Sequence, residues 1–177
     1  MFIAALLPEH IKREIASFID DIKPHIDGVK WEKQEKLHIT LKFLGNVETP
    51  ILNDINKLLA DFTKTWSPID INLLDFGGFP NLRNPRVLVM SLSEDTGLGD
   101  LQSKIDNGLS GLGFEKENRK FRSHVTVGRV KKKYRSHGDL PVSDKTPFTI
   151  NEIAVIKSEL TREGSIYTPI STFQLAY

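Results

Sequence analysis

The chain switches repeatedly between two hydrophobic periods, and this order limits its possible folds more than any other feature. Three stretches place apolar residues every three or four positions, which is typical of helices that bury one face. Pro24 is expected to end the first helix and Gly111 the third, while Thr49 should cap the second and Pro50 begin it. The apolar positions are Ile11, Ile15, Phe18, Ile19 and Ile22; Ile51, Ile55, Leu58, Leu59 and Phe62; and Leu98, Leu101, Ile105 and Leu109.

The segments around these helices favour β-strands. A first strand is predicted before Pro8, and others over residues 37–43, 69–73, 86–92, 123–130, 148–156 and 166–175. Loops are predicted at residues 77–81, 95–97 and 136–145. Helices and strands do not alternate one for one, so the pattern predicts an α+β fold with antiparallel pairing. No linker rich in Pro, Gly or Ser divides the chain, which predicts one domain over residues 1–177.

The composition excludes several kinds of chemistry. The 177 residues contain no cysteine, which excludes disulfides, thiol nucleophiles and thiolate metal sites. Lysine and arginine number 24 and aspartate and glutamate 23, so the total charge does not predict a polyanionic partner. No apolar run reaches the roughly 20 residues of a membrane span, and the first residues do not resemble a signal peptide. A cytoplasmic protein with no membrane contact is therefore expected.

Two short segments, 86 residues apart, share one pattern of His, an aliphatic residue, Thr and a second aliphatic residue. They contain His38 with Thr40 and His124 with Thr126. Residues two apart on a strand share a face, so each strand should present an imidazole beside a hydroxyl on its non-core face. One His-x-Thr alone would more often be an ordinary strand residue pair, but the repetition favours a shared site.

This pairing suits phosphate chemistry. An imidazole has an ordinary pKa of about 6.5, so one copy can accept a proton while the other donates one near neutral pH. A threonine hydroxyl can donate a hydrogen bond to a phosphate oxygen. Two such units across a cleft would need no metal ion, and the sequence has neither an H-E-x-x-H motif nor thiolates to hold one.

The two segments differ five residues after each histidine. Arg129 occupies this position after His124, and Phe43 occupies it after His38. Strict alternation would turn Arg129 toward the core, so a bulge at Gly128 is predicted to turn it toward the cleft. There its guanidinium could stabilise the charge that develops on a phosphate. The alternative is an ordinary surface arginine at the end of a strand.

Together, residues 38–45 and 124–129 resemble the paired signature of the 2H phosphoesterase superfamily, and in particular the RNA 2′,3′-cyclic phosphodiesterases, also described as 2′-5′ RNA ligases. Further similarity lies in residues 2–4, 79–87 and 158–167, so the resemblance covers nearly the whole chain. Ser123 departs from the family, since relatives often have proline before the second motif.

The resemblance implies a bilobal α+β fold with approximate two-fold duplication, in which two antiparallel sheets form a V-shaped cleft with helices outside. It implies hydrolysis of a terminal RNA 2′,3′-cyclic phosphate to a 2′-phosphate without metal or cofactor. By analogy His124 would activate water, His38 would protonate the O3′ leaving group, and Thr40, Thr126 and Arg129 would hold the phosphate. The two similar histidines could also have the reversed roles. The substrate could be tRNA halves or small nucleotides.

Basic residues concentrate near the second motif, and this local charge favours contact with RNA. The stretch consists of Lys116, Arg119, Lys120, Arg122, Arg129, Lys131, Lys132, Lys133 and Arg135. Arg122, Lys131, Lys132 and Lys133 are candidate RNA contacts, although such a stretch is often only a solvated face. Phe79 and Phe43 are candidates to stack on a base. Phe79 could instead be a core residue.

Three functions remain open at this level. The first is the cyclic phosphodiesterase. The second is 2′-5′ RNA ligation by the reverse reaction, or hydrolysis of a small cyclic nucleotide. The third is an RNA-binding module without catalysis. A monomer is expected because no feature of the sequence requires an interface.

Overall fold

A computed structural model describes residues 1–94, 97–162 and 164–176 of the chain. It contains two sheets, in which every pair of adjacent strands is antiparallel, and three α-helices. The predicted α+β class is therefore confirmed. The strands are β1 (Phe2–Leu6), β2 (Ile26–Trp31), β3 (His38–Phe43), β4 (Ile69–Phe79), β5 (Val87–Leu92), β6 (His124–Ser136), β7 (Pro147–Ile150), β8 (Glu152–Thr161) and β9 (Gly164–Gln174).

The two sheets repeat one arrangement of strands. The first has the order β3-β1-β8-β9, and the second has the order β2-β6-β5-β4-β7. Without β2, each sheet begins with a His-x-Thr strand, continues with a central strand and adds two more strands. This common order is what a duplicated fold requires, and it gives β3 and β6 equivalent places.

Three helices pack on the sheets: α1 (Glu9–Ile22), α2 (Thr49–Thr63) and α3 (Leu98–Ser110). Helix α1 contacts the five-stranded sheet, because Phe18 packs on Phe76 of β4 at 5.7 Å between ring centroids. Helix α2 contacts β9 and α3, while α3 contacts β3. All the apolar positions predicted for α1 and α3 are buried, so the helical period identified their core faces correctly.

One hydrophobic cluster joins the two halves. It includes Ile3 and Ile39 from the four-stranded sheet and Leu88 and Val125 from the five-stranded sheet. Among the described residues, no helix is both long and apolar enough to cross a membrane.

Several predicted boundaries were wrong. Residues 148–156 form two strands rather than one, because the chain leaves the five-stranded sheet after β7 and enters the other sheet with β8. Asn151 lies between them, and its carbonyl accepts a hydrogen bond from the Leu175 amide at 2.8 Å. Two consecutive polar residues, Asn151 and Glu152, interrupt the alternation here, and this was the signal for the crossing.

Other differences concern element ends. Strand β2 was missed because Gly28, at φ +81°, interrupts its alternation. The predicted loop at residues 77–81 begins later, since β4 continues to Phe79. Thr49 is already helical, and extended Glu48 is the N-cap. Residues Asp95 and Thr96 of another predicted loop lie outside the described residues, as does Glu163 of the closing familial segment.

Candidate active site

A cleft of about 920 Å³ lies between the sheets and is lined from both of them. Strand β3 contributes His38 and Thr40 to its wall, and β6 contributes His124 and Thr126. The residues between them, such as Ile39 and Val125, are fully buried. The alternation predicted from the sequence is therefore present, and it turns both polar pairs into one cavity.

Each imidazole is held in the same way by its own strand. Nδ1 of His38 contacts the Lys36 carbonyl oxygen at 2.6 Å, and Nδ1 of His124 contacts the Arg122 carbonyl oxygen at 2.7 Å. A carbonyl can only accept, so Nδ1 must carry the hydrogen in both rings. In the neutral form Nε2 is then the basic nitrogen. Nε2 of His38 lies 3.1 Å from Oγ1 of Thr40.

Aromatic rings hold both imidazoles, but not equally. Phe2 stacks on His38 at 4.8 Å, and Tyr167 meets the same ring edge-on at 5.5 Å. His124 contacts Phe79 alone among these rings of the described chain, edge-on at 5.0 Å. His38 is thus packed from two directions and His124 from one.

Basic side chains lie over two of these rings. The Lys36 ammonium is 5.9 Å from the centroid of Tyr167, and the Arg122 guanidinium is 6.0 Å from that of Phe79. Lys36 and Arg122 also supply the carbonyls that hold the histidines. Each half therefore places one cation, one aromatic ring and one imidazole in contact.

The pKa of both histidines is lowered, mainly because burial disfavours the charged ring. The carbonyl contacts oppose this shift, since they favour the protonated imidazole. The positive charge of Arg129 lowers the pKa of both rings further. Burial also raises the pKa of Tyr167, and the neighbouring Glu32 carboxylate adds to that effect. Without an anion in the cleft, both imidazoles therefore favour the neutral form.

A bulge follows the threonine in each His-x-Thr strand. In β3, Thr40 and Lys42 pair with consecutive residues of β1, so Leu41 is the extra residue. In β6, Thr126 and Gly128 pair with consecutive residues of β5, so Val127 is extra. The predicted bulge is thus present one residue before Gly128, and it occurs at equivalent places in both strands. Each bulge changes which side chains face the cleft beyond it.

Arg129 is turned into the cleft beyond the second bulge. Gly128 precedes it and allows a close approach of β2, since a Cβ there would lie 2.7 Å from Cγ1 of Val29. Nε of Arg129 lies 3.5 Å from Oε1 of Glu32. The guanidinium is therefore held beside Glu32, and Arg129 lines the cleft together with Thr126.

Lys42 follows the first bulge and is bound by other oxygens. Its ammonium lies 2.5 Å from Oδ1 of Asp106 and 2.5 Å from the Glu115 carbonyl oxygen. Both charged side chains of the pair are about nine-tenths buried. The Glu117 amide donates to the same Asp106 carboxylate at 3.1 Å. This cluster attaches the segment that leads to Arg122 to the edge of β3.

The LigT-like phosphoesterase family model matches residues 6–89 and 91–167 of the chain. The chain belongs to this family. It is 38% identical to the RNA 2′,3′-cyclic phosphodiesterase of Methanocaldococcus jannaschii over 96% of this chain and 97% of that protein. It is 32% identical to the enzyme of the same name from Methanothermobacter thermautotrophicus, over 98% and 97%. The resemblance to 2H phosphoesterases is thereby confirmed.

Solved structures show the same fold as this LigT-like phosphoesterase. The crystal structure of TT0787 from Thermus thermophilus superposes with a TM-score of 0.87 at 26% identity, covering 98% of this chain and 96% of that one. E. coli LigT, solved in complex with 3′-AMP, superposes with a TM-score of 0.81 at 23% identity, covering 99% and 97%. The second likeness shows the fold alone.

Most residues predicted for the site lie together in this LigT-like cleft. Its lining includes His38, Thr40, Phe43, Phe79, Arg122, His124, Thr126 and Arg129. Lys131, Lys132 and Lys133 are exposed on β6 beyond Arg129 and do not line the cleft. Phe79 is half-buried at the wall, so it is not a core residue.

Several residues of the cleft were not identified as site residues from the sequence, among them Phe2, Glu32, Lys36, Lys42 and Tyr167. Glu32 and Lys42 give no local signal, because their partners Arg129 and Asp106 are distant in the chain. Tyr167 was noted only within a familial segment, and the sequence did not place it on His38. Among the described residues, no group of three or more His, Asp or Glu side chains could hold a metal ion.

Proposed function

We propose that this LigT-like phosphoesterase hydrolyses a terminal RNA 2′,3′-cyclic phosphate to a 2′-phosphate, with its histidines as acid and base. The main observation behind this proposal is that a backbone carbonyl holds both imidazoles in the same way. Both are held through Nδ1, so both present Nε2 as the reactive nitrogen of one cleft. The names of the two archaeal relatives support the same substrate.

In the proposed reaction, His124 accepts a proton from water at Nε2 as the water oxygen attacks phosphorus. The P–O3′ bond breaks on the opposite side, and protonated His38 donates its Nε2 proton to O3′. The products are a 2′-phosphate and a free 3′-hydroxyl. Proton exchange with solvent then restores both imidazoles to their starting forms.

The acid role requires that His38 be protonated although burial lowers its pKa. A bound phosphate anion acts in the opposite direction, because a nearby negative charge favours imidazolium. The Lys36 carbonyl does the same through Nδ1. We therefore propose that binding of the substrate favours protonation of His38, the acid, while His124 stays neutral as the base.

The phosphate oxygens would be held by Thr40, Thr126 and Arg129. The two hydroxyls lie on opposite walls of the cleft, and the guanidinium carries the positive charge that developing phosphorane oxygens need. Thr40 also contacts Nε2 of His38, so it can align the acid as well as the phosphate.

The terminal base would stack on Phe43. This side chain is 72% exposed and lines the cleft on the His38 side, where the proposed chemistry places the ribose. Phe79 suits this task less well, since the Arg122 guanidinium lies over its face and its ring meets His124 edge-on. Arg122 would contact phosphate. That Lys131, Lys132 and Lys133 contact RNA stays a prediction.

Ligation by the reverse reaction and pure RNA binding also stay untested, and no contact in the cleft favours either. A small cyclic nucleotide is a second candidate substrate, because about 920 Å³ is within the usual size of a small-molecule site.

The test is turnover of an oligonucleotide with a 2′,3′-cyclic phosphate end after exhaustive treatment of the enzyme with EDTA. We expect full activity and a 2′-phosphate as the product, identified by ³¹P NMR. Activity that is lost with EDTA and restored by a divalent metal would contradict the metal-free mechanism. A 3′-phosphate product would contradict the assigned leaving group.

A further inference from the structure

We propose that Glu32 is a positioning residue that fixes the Arg129 guanidinium toward the reacting phosphate. The inference rests on the proposed cyclic phosphodiesterase function and adds a carboxylate to its machinery. Glu32 comes directly after β2, outside both His-x-Thr motifs, and it lines the same cleft.

The contact between the two side chains uses one particular nitrogen of the arginine. Oε1 of Glu32 lies 3.5 Å from Nε of Arg129. A guanidinium has five N–H groups, and four of them belong to the terminal Nη atoms. Since the carboxylate lies at ion-pair distance on the Nε side, the Nη groups remain as the paired donors that suit a phosphate.

The backbone of Glu32 is fixed to the bulge that aims Arg129. Its amide donates to the carbonyl of Val127, the extra residue of the bulge, at 2.9 Å. Trp31 pairs with Gly128, and Lys30 pairs with Arg129 across the β2–β6 ladder. The carboxylate and the guanidinium are thus held by adjoining parts of one ladder rather than by a flexible surface loop.

The negative charge of Glu32 in this cleft also requires an explanation. Its side chain is only 20% exposed and lines a cleft that is proposed to hold an anion, where a carboxylate repels the substrate. This cost is offset if the carboxylate orients the cation that stabilises the transition state.

The two effects of Glu32 make a distinctive kinetic prediction. Removing the carboxylate should misalign Arg129 in the transition state, which lowers kcat. It should also remove repulsion in the ground state, which leaves KM unchanged or lowers it. A carboxylate that instead bound a substrate hydroxyl would show the opposite pattern, with a raised KM.

The experiment compares Glu32→Ala, Glu32→Gln and the control Glu35→Ala on the cyclic-phosphate oligonucleotide. Glu35 is exposed, three residues away, and does not line the cleft. We expect kcat of Glu32→Ala to fall about 10- to 100-fold without a rise in KM. Glu32→Gln keeps an acceptor oxygen and should retain most of kcat, while Glu35→Ala should match wild type.

Adding Arg129→Ala completes the test. If Glu32 acts through Arg129, the double variant Glu32→Ala/Arg129→Ala should be no slower than Arg129→Ala alone. Fully additive losses, a raised KM, or a Glu32→Ala enzyme as fast as wild type would each overturn the proposal. Absence of turnover in wild type would instead overturn the proposed function, so the two failures are distinguishable.

Discussion

Strands β3 and β6 occupy equivalent places in their sheets and carry the same motif, yet their surroundings differ. Both contain His-x-Thr followed by a one-residue bulge. Beyond the bulge, β3 presents Phe43 at the mouth of the cleft, and β6 presents Arg129. In the proposed mechanism, the repeated part supplies the two proton-transfer groups. The part that differs would place the terminal nucleobase and its ribose on one side and the phosphate charge on the other.

The packing of the two histidines differs in the same direction. His38 lies between Phe2 and Tyr167, and its Nε2 contacts Thr40. Within the described part of the chain, His124 has one ring, Phe79, beside it. A tightly packed imidazole suits a proton donor that must be aligned with a leaving oxygen. A less crowded one leaves room for the attacking water.

The largest expected effect comes from removing either histidine. His38→Ala and His124→Ala should each lower kcat by about 10²- to 10⁴-fold, since each removes one proton-transfer group. Binding of the substrate oligonucleotide, measured by fluorescence anisotropy, should change little. His10→Ala is the matched control, because His10 is exposed at the start of α1. If one histidine proves dispensable for turnover, the two strands do not act as a pair.

The next largest effects are expected at Arg129 and Phe43, the two positions that differ between the strands, and they should fall on different kinetic constants. Arg129→Ala should lower kcat by about 10²- to 10³-fold, as expected for loss of a donor to developing charge. Phe43→Ala should leave kcat nearly unchanged and raise KM, because stacking on one base contributes about 1–3 kcal/mol. Steady-state kinetics separates these outcomes. Leu160→Ala is the control for Phe43, since Leu160 is 88% exposed and outside the cleft. Equal losses in kcat at both positions would remove the proposed division of tasks.

The smallest effect concerns stability against pH. Burial lowers the pKa of both histidines in the folded chain, so only the unfolded chain takes up their protons just below pH 6.5. The free energy of unfolding should therefore fall as the pH drops from about 6.5 toward the folded-state pKa, and not at higher pH. Urea unfolding between pH 5 and 8 measures this loss. The loss should be smaller in His38→Ala and in His124→Ala than in wild type, because each variant lacks one of these buried imidazoles. The same loss in all three proteins would contradict the burial argument.

The local patterns of the sequence predicted the helices and the polar face of each His-x-Thr strand well. These features depend on neighbouring residues, and the buried faces of α1 and α3 follow the expected period. The crossing at Asn151 was missed because pairing partners 69 and 150 are distant in the chain. Glu32 and Lys42 were missed for the same reason. The bulge before Arg129 was predicted because strict alternation would have turned the charged Arg129 side chain toward the core. No side chain near Leu41 gave such a signal, so the matching bulge there was not predicted.

We propose that His38 and His124, on two equivalent strands, perform opposite proton transfers. A substrate whose bridging O3′ is replaced by sulfur tests this directly. A thiol has a pKa of about 8.5, so a thiolate can leave without an acid. The account predicts that this 2′-O,3′-S-cyclic phosphorothiolate restores turnover to His38→Ala but not to His124→Ala. If turnover is restored only in His124→Ala, the roles are reversed. If turnover is restored in neither variant, the acid role of His38 is contradicted.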